Sequence, residues 1–297
     1  MMTNEFMKVY RLKITTYSPV HIGDSRDLEP TEYVICSESE KADGVICSVC
    51  GSKNPVNARD CGICGEPLPQ TPVFLYTFTP KQLSKALKSK NDDKWLAFCN
   101  AAKSGLDKVQ NFLKDNAEII ARTGYKRARV IDRPQREAIA RHISNELTQQ
   151  AYIPGSSIKG ALGLVLGDFA EKLRIADAIS KERFSTEIRQ CFHSDEAMRN
   201  KRIYAEVIPA GTVFESEIRF KPKENENTLG WIQSECDRFR QKRKDNIDVS
   251  TKENTFLMRL GKYCGKAYKT TDIVKITKWS TERMSFGWCV VEFEEVK

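Results

Sequence analysis

Four cysteines and one helix start carry the clearest chemistry in this 297-residue sequence. Cys47-x2-Cys50 and Cys61-x2-Cys64 are separated by ten residues, and Gly51 and Gly65 each follow the second cysteine of a pair. Two such pairs supply four thiolates to one tetrahedral ion, and each glycine lets backbone N–H groups turn toward sulfur. The spacing is that of a structural zinc site. All four ligands are protein thiolates, which leaves no open coordination position for catalysis. Redox pairs use the same residue type, and an iron–sulfur cluster the same four ligands, although the paired spacing suits a cluster less well. Residues 45–69 hold almost no apolar side chains, so metal is expected to fold them as a zinc-ribbon-like insert.

The second feature is the stretch YIPGSSIKGALGLVLGDF, residues 152–169. Pro154 keeps the residue before it extended, and Gly155 supplies a turn. Ser156 and Ser157 are suitable helix caps. Ile158, Leu162, Val165, Leu166 and Phe169 then recur at helical spacing, with small residues between them. A helix start offers free N–H groups and partial positive charge. Lys159 opposes that dipole, so both features suit a phosphate-bearing partner. A capped helix with a surface lysine has the same residues.

Cations cluster at Arg122, Lys126, Arg127, Arg129, Arg133, Arg136 and Arg141, against Asp132 and Glu137, with Tyr125 among them. Arginine beside an aromatic ring suits phosphate pairing and base stacking, and equally describes a solvated basic loop. A later segment interleaves Gly261, Lys262, Tyr263, Gly265 and Lys266, which favours close backbone approach to a polyanion. The three histidines, His21, His142 and His193, have no visible catalytic partner. Asp24 reads as a turn residue.

The elements that must position these groups mix irregularly. Residues 8–17 alternate, with Tyr10, Leu12, Ile14 and Thr16 on one face. Further strands are expected at 32–35, 72–78, 212–220, 273–279 and 286–291. Helices are expected after Thr79-Pro80, over 186–199 and over 228–244. Strands at both termini predict an α+β chain with a largely antiparallel sheet. The net charge of +8 favours an anionic partner. No apolar run is long enough for a membrane span, and the N-terminus has no signal-peptide pattern, so a cytoplasmic protein is expected.

The N-terminal strand followed by SPVHIGDSRDLEPTEYVI, the central YIPGSSIKGAL and the late glycine-rich and FGW segments together resemble the RAMP superfamily of CRISPR-associated proteins. The opening HIGD and LEPTEYVI are most like the subunits that cap the crRNA 3′ end in type III-A (Csm) effector complexes. The resemblance implies one RAMP-type domain over 1–297, with a modified ferredoxin-like (RRM-like) core. The zinc knuckle and a largely helical segment with its basic residues, 80–150, are then insertions. It further implies that Gly155, Ser156, Ser157 and Lys159 bind crRNA backbone, that His21 and Gly23 lie near the same groove, and that Gly261 to Lys266 match a second glycine-rich segment. The implied function is a non-catalytic RNA-binding subunit supporting crRNA maturation and assembly, with crRNA and other effector subunits, especially the repeated backbone subunit, as partners. The competing expectation is a RAMP endoribonuclease that processes CRISPR repeat RNA, with His21 in its loop.

Overall fold

The structure is a computed structural model and describes residues 7–37, 45–55, 58, 60–68, 72–88, 92–192, 203–221, 228–242, 255–261, 275–276 and 286–296. The chain is α+β and divides into two compact units, residues 1–27 with 140–297, and residues 28–139.

The first unit is built on an antiparallel five-stranded sheet. Its strands are β1 (Lys8–Thr16), β9 (Arg174–Ile175), β12 (Val213–Phe220), β13 (Thr255–Arg259) and β15 (Trp288–Glu295), in the order β13-β15-β1-β12-β9. The two-residue periodicity read from sequence sets which face is buried. Leu12 and Ile14 are buried on β1, and Phe214, Ile218 and Phe220 on β12. The register places Tyr10 opposite Ile218 and Ile14 opposite Phe214. Helix α5 (Gly155–Leu166) closes this core with Ile158 and Leu162, both 1% exposed, and α6 (Thr228–Lys242) adds Ile232.

Four more strands of this unit run β2-β8-β11-β10: β2 (Gly23–Leu28), β8 (Ile139–His142), β11 (Ile203–Val207) and β10 (Thr186–Phe192), with β14 (Lys275–Ile276) pairing with β10. The helix expected over 186–199 is therefore a strand as far as Phe192. Glu187, Arg189 and Gln190 are good helix formers. Pairing of Cys191 with Ile203 and of Glu187 with Val207 overrides that preference. The remainder of that expected helix, and His193, lie outside the described residues.

In the second unit β3 (Tyr33–Ser37), β6 (Val73–Thr77) and β7 (Tyr125–Val130) pair in the order β7-β6-β3. Four helices follow β6: α1 (Pro80–Lys88), α2 (Asp92–Ser104), α3 (Leu106–Asp115) and α4 (Ala117–Ala121). Leu83, Leu87, Val109, Leu113 and Ile120 form their core. Thr79 and Gln82 make a reciprocal capping box: the Thr79 N–H donates to Gln82 Oε1 at 2.8 Å, and the Gln82 N–H to Thr79 Oγ1 at 3.2 Å. The 80–150 segment is thus helical only to Ala121; Lys126, Arg127 and Arg129 fall in β7 and Arg141 in β8, with Arg133 and Arg136 in the loop between. The hairpin β4 (Val45–Ile46) and β5 (Lys53–Asn54) belongs to the cysteine module. Among the described residues no helix is long and apolar enough to cross a membrane.

Candidate functional site

Three segments far apart in sequence converge in the first unit. Val20 bridges Ile208, and the Ile143 N–H donates to the Ile22 carbonyl. Trp288 accepts from the Tyr17 and Ser18 N–H groups, and its own N–H donates to Ser18 Oγ. The Leu260 N–H reaches the Gly287 carbonyl, and Gly261 lies directly on the His21 backbone. At φ 102°, with the His21 carbonyl where a Cβ would sit, position 261 admits only glycine. The HIGD loop, Gly261 at the head of the late glycine segment and the FGW segment are therefore one packed junction.

His21 sits inside this junction at 1% exposure, and its Nδ1 lies 2.8 Å from the Glu206 carbonyl. Its ring meets that of His142 edge-on at 6.0 Å. The imidazole is an interior group and is not presented to solvent, whereas Gly23 is half-buried at the start of β2. Glu206 is also buried, and its carboxylate accepts from the His142 N–H at 3.1 Å and from Thr186 Oγ1 at 2.7 Å. Sequence reading missed Glu206. The signal was an acid within the apolar run of β11.

Helix α5 begins two residues earlier than an N-cap at Ser156 would place it. Pro154 is its N-cap, with no side-chain cap, so Ser156 and Ser157 lie in the first turn rather than capping it. The Gly155 N–H is instead satisfied by Asp177 Oδ1 at 2.8 Å, a partner that nothing in the sequence marks. Gly155 is buried against the Ile175 and Ala176 backbone, while Ser156 is exposed. Lys159 is half-buried and donates to the Glu171 carbonyl at 3.1 Å. An ammonium has three donors, so this contact leaves capacity for a phosphate.

Asp24 acts as a turn residue, its Oδ1 accepting from the Arg26 N–H at 3.0 Å, and also forms an ion pair. It lies in β2, its Oδ2 3.0 Å from Arg141 Nε, and both side chains are largely buried. The pair borders a groove of about 600 Å³ that runs along Ser144, Gln150 and Tyr152 to Asp177, beside the start of α5. Lys126, Arg127 and Arg129 lie on β7 in the second unit; Lys126 and Arg129 are exposed, and the Lys126 ammonium stands 3.4 Å from the Phe74 ring centroid. The structure therefore assigns the α5 loop and the basic strand to different units. Lys262, Gly265 and Lys266 lie outside the described residues.

The four predicted ligand cysteines meet. Their sulfurs all lie within 4.8 Å of one another, with Cys47–Cys64 at 3.6 Å and Cys50–Cys61 at 3.5 Å. A tetrahedron of metal–thiolate bonds near 2.3 Å has edges of about 3.8 Å, so the four thiols fit one ion. The knuckles repeat one hydrogen-bond pattern: Gly51 N–H to Cys47 O, and Gly65 N–H to Cys61 O. Asn54 ties them together, accepting from the Gly62 N–H and donating to the Ser52 carbonyl. The Ser52 hydroxyl, then the Cys64 and Ile63 N–H groups, hold the Cys61 thiol down to about 5, which favours the thiolate a metal needs.

No protein-family profile and no curated protein matches the sequence. Solved structures match in fold. In the cryo-EM structure of a Csm-crRNA-target RNA ternary complex in a type III-A CRISPR-Cas system, one chain aligns with a TM-score of 0.57 at 12% identity, over 97% of this chain and 100% of that one. The crystal structure of T. onnurineus Csm5 aligns with a TM-score of 0.52 at 13% identity, over 94% of this chain and 99% of that one. Over nearly its whole length the chain therefore has a Csm5-like fold, the one its resemblance to RAMP proteins implied.

Proposed function

We propose that this chain is a non-catalytic RNA-binding subunit of a type III CRISPR ribonucleoprotein, holding the crRNA backbone near its 3′ end and contacting neighbouring effector subunits. The observation that carries the reading is the packed junction of the HIGD loop, Gly261 and the FGW segment, within a fold shared with Csm5 along almost the entire chain. The element order β1-α5-β9-β12-α6-β15, with sheet order β15-β1-β12-β9, supports a ferredoxin-like core. In this reading the first turn of α5, with Gly155, Ser156, Ser157 and Lys159, faces RNA phosphates, and contacts are to backbone more than to bases. The four cysteines hold one structural zinc. Burial of His21 counts against the competing reading, a repeat-processing endoribonuclease, because a general base has to reach the 2′-hydroxyl it deprotonates.

The test is to purify the tagged chain from its own host in gentle salt and measure its mass under native conditions. Recovery in a large particle with several proteins and one discrete RNA supports the proposal; recovery as a lone protein without RNA overturns it. Incubating the purified chain with repeat RNA separates binder from nuclease, since cleavage abolished by His21→Ala would establish the competing reading.

A further inference from the structure

The cysteine module turns its aliphatic side chains outward. Its buried cluster consists of Cys47, Cys61 and Leu68, with Ala58 against them. Ile46, Val49 and Ile63 instead stand 68%, 65% and 78% exposed. A segment this short of core would be stabilised by burying them, so its own folding does not explain why they face water. The two knuckles also make the same choice twice. Cys47-Ser48-Val49-Cys50 and Cys61-Gly62-Ile63-Cys64 share one backbone pattern, Gly51 N–H to Cys47 O and Gly65 N–H to Cys61 O. Val49 and Ile63 therefore hold matching positions. Each adjoins an exposed ligand cysteine, Cys50 or Cys64, and the sulfurs of those two lie within 4.8 Å. Ile46 precedes the first ligand, on β4 opposite Lys53.

Charge decides what can cover these side chains. Over residues 45–69, Lys53 and Arg59 balance Asp60 and Glu66. The two positive charges of zinc against four thiolates then leave the segment at −2, on a chain of +8. Asp60 and Glu66 are both exposed. The segment has no Phe, Tyr, Trp or His on which a base could stack. Single-stranded RNA meets repulsion there and no ring, whereas a protein surface with an apolar centre ringed by lysine or arginine meets complementary charge. Metal also holds both knuckles in place before any partner arrives, which lowers the ordering cost of docking. We propose that Ile46, Val49 and Ile63 are the docking site for a neighbouring protein subunit whose contact surface is apolar with a basic rim. The proposal rests on the reading of this chain as a ribonucleoprotein subunit, and it names the part of the chain that holds protein rather than RNA.

The test uses the particle purified from its own host, carrying the zinc-loaded wild-type chain, Val49→Ser/Ile63→Ser or Glu66→Lys. Amine crosslinking identifies the subunit that meets Lys53, and native mass spectrometry over a salt series follows whether it stays bound. Both variants are expected to keep one zinc per chain, read by release to a chelating dye, and to keep their RNA. The serine pair should raise the dissociation constant of the crosslinked subunit about tenfold or more, and Glu66→Lys by a smaller factor that shrinks as salt is added. If the serine pair sheds zinc, Glu66→Lys, which touches neither ligand nor core, decides. Unchanged composition and salt stability of the variant particles overturns the docking site and leaves the RNA-binding reading standing. Weaker RNA binding by a variant that retains zinc would assign the tips to RNA and also overturn the site. So would a wild-type homodimer that the serine pair splits into monomers. If the wild type is recovered with neither RNA nor a second protein, the subunit reading falls together with the site.

Discussion

A methyl group at position 155 would meet the backbone carbonyls of Ile175 and Ala176, whereas one at position 160 meets nothing within 4 Å. The two glycines are five residues apart on one helix, so they form a controlled pair. Gly155→Ala is expected to cost about 1–3 kcal/mol through overpacking against unyielding backbone. Gly160→Ala should be neutral or stabilise by up to about 1 kcal/mol, because alanine is the better helix former. Urea unfolding midpoints measure both, and equal shifts would mean that the α5 start is not clamped on β9. Glu206 offers a second residue-scale test. Glu206→Leu removes an acceptor from two buried donors, His142 N–H and Thr186 Oγ1, and should cost about 2–4 kcal/mol. Glu206→Gln keeps one carbonyl acceptor and should cost less than Leu. A leucine variant as stable as the wild type would remove the carboxylate from the account of how β8, β10 and β11 are joined.

The cysteine module shows how an element without a core depends on its ligand. Its buried apolar set is Cys47, Cys61 and Leu68, with Ala58 against them, too little to offset the entropy of ordering the two knuckles. One zinc per chain is expected at neutral pH, measured by release to a chelating dye. A metal needs thiolates, so acid competes with it. Cys61 is held down and Cys64 pushed up within one hydrogen-bonded cluster, so the four thiols share their protons and zinc should be lost progressively on acidification. Zinc retained in strong acid would argue against a four-thiolate site. This module was legible in sequence because metal-ligand spacing is local. So were β1 and β12, whose alternation is clean enough to give both the strand and its buried face. Strand β10 was not legible. Its Ile188 and Cys191 fall at helical spacing, and only pairing with β11 makes it extended. There Arg189 and Glu187, two residues apart, share a face and bond at 2.6 Å. The Asp177 bond to Gly155 was invisible for the same reason: it joins residues that only the tertiary fold brings together.

At the scale of the molecule, what survives the loss of a part is decided by how the apolar clusters among the described residues are separated, and three of them bear on the metal site. The core around β1, β12 and α5, the core of the four-helix segment, and the small cluster of the cysteine module share no buried residue. Removing zinc should therefore melt the third and leave the first two intact. Hydrogen exchange after chelation tests this peptide by peptide. Amides at 45–68 should lose protection, while those of β1, β12 and α3 keep theirs, because their partners lie in other clusters. The consequence for function follows from where the cations are. Lys159 and the basic strand β7 lie outside the module, so, if the chain binds RNA as proposed, its metal-free form should keep its single-stranded RNA affinity within about twofold, a change of roughly 0.4 kcal/mol. Anisotropy before and after chelation, with zinc restored as the control, gives the comparison. Equal affinities would assign the module to structure or to protein contacts. A large, zinc-reversible loss, with exchange unchanged in β1 and α3, would mean that the knuckles themselves grip RNA.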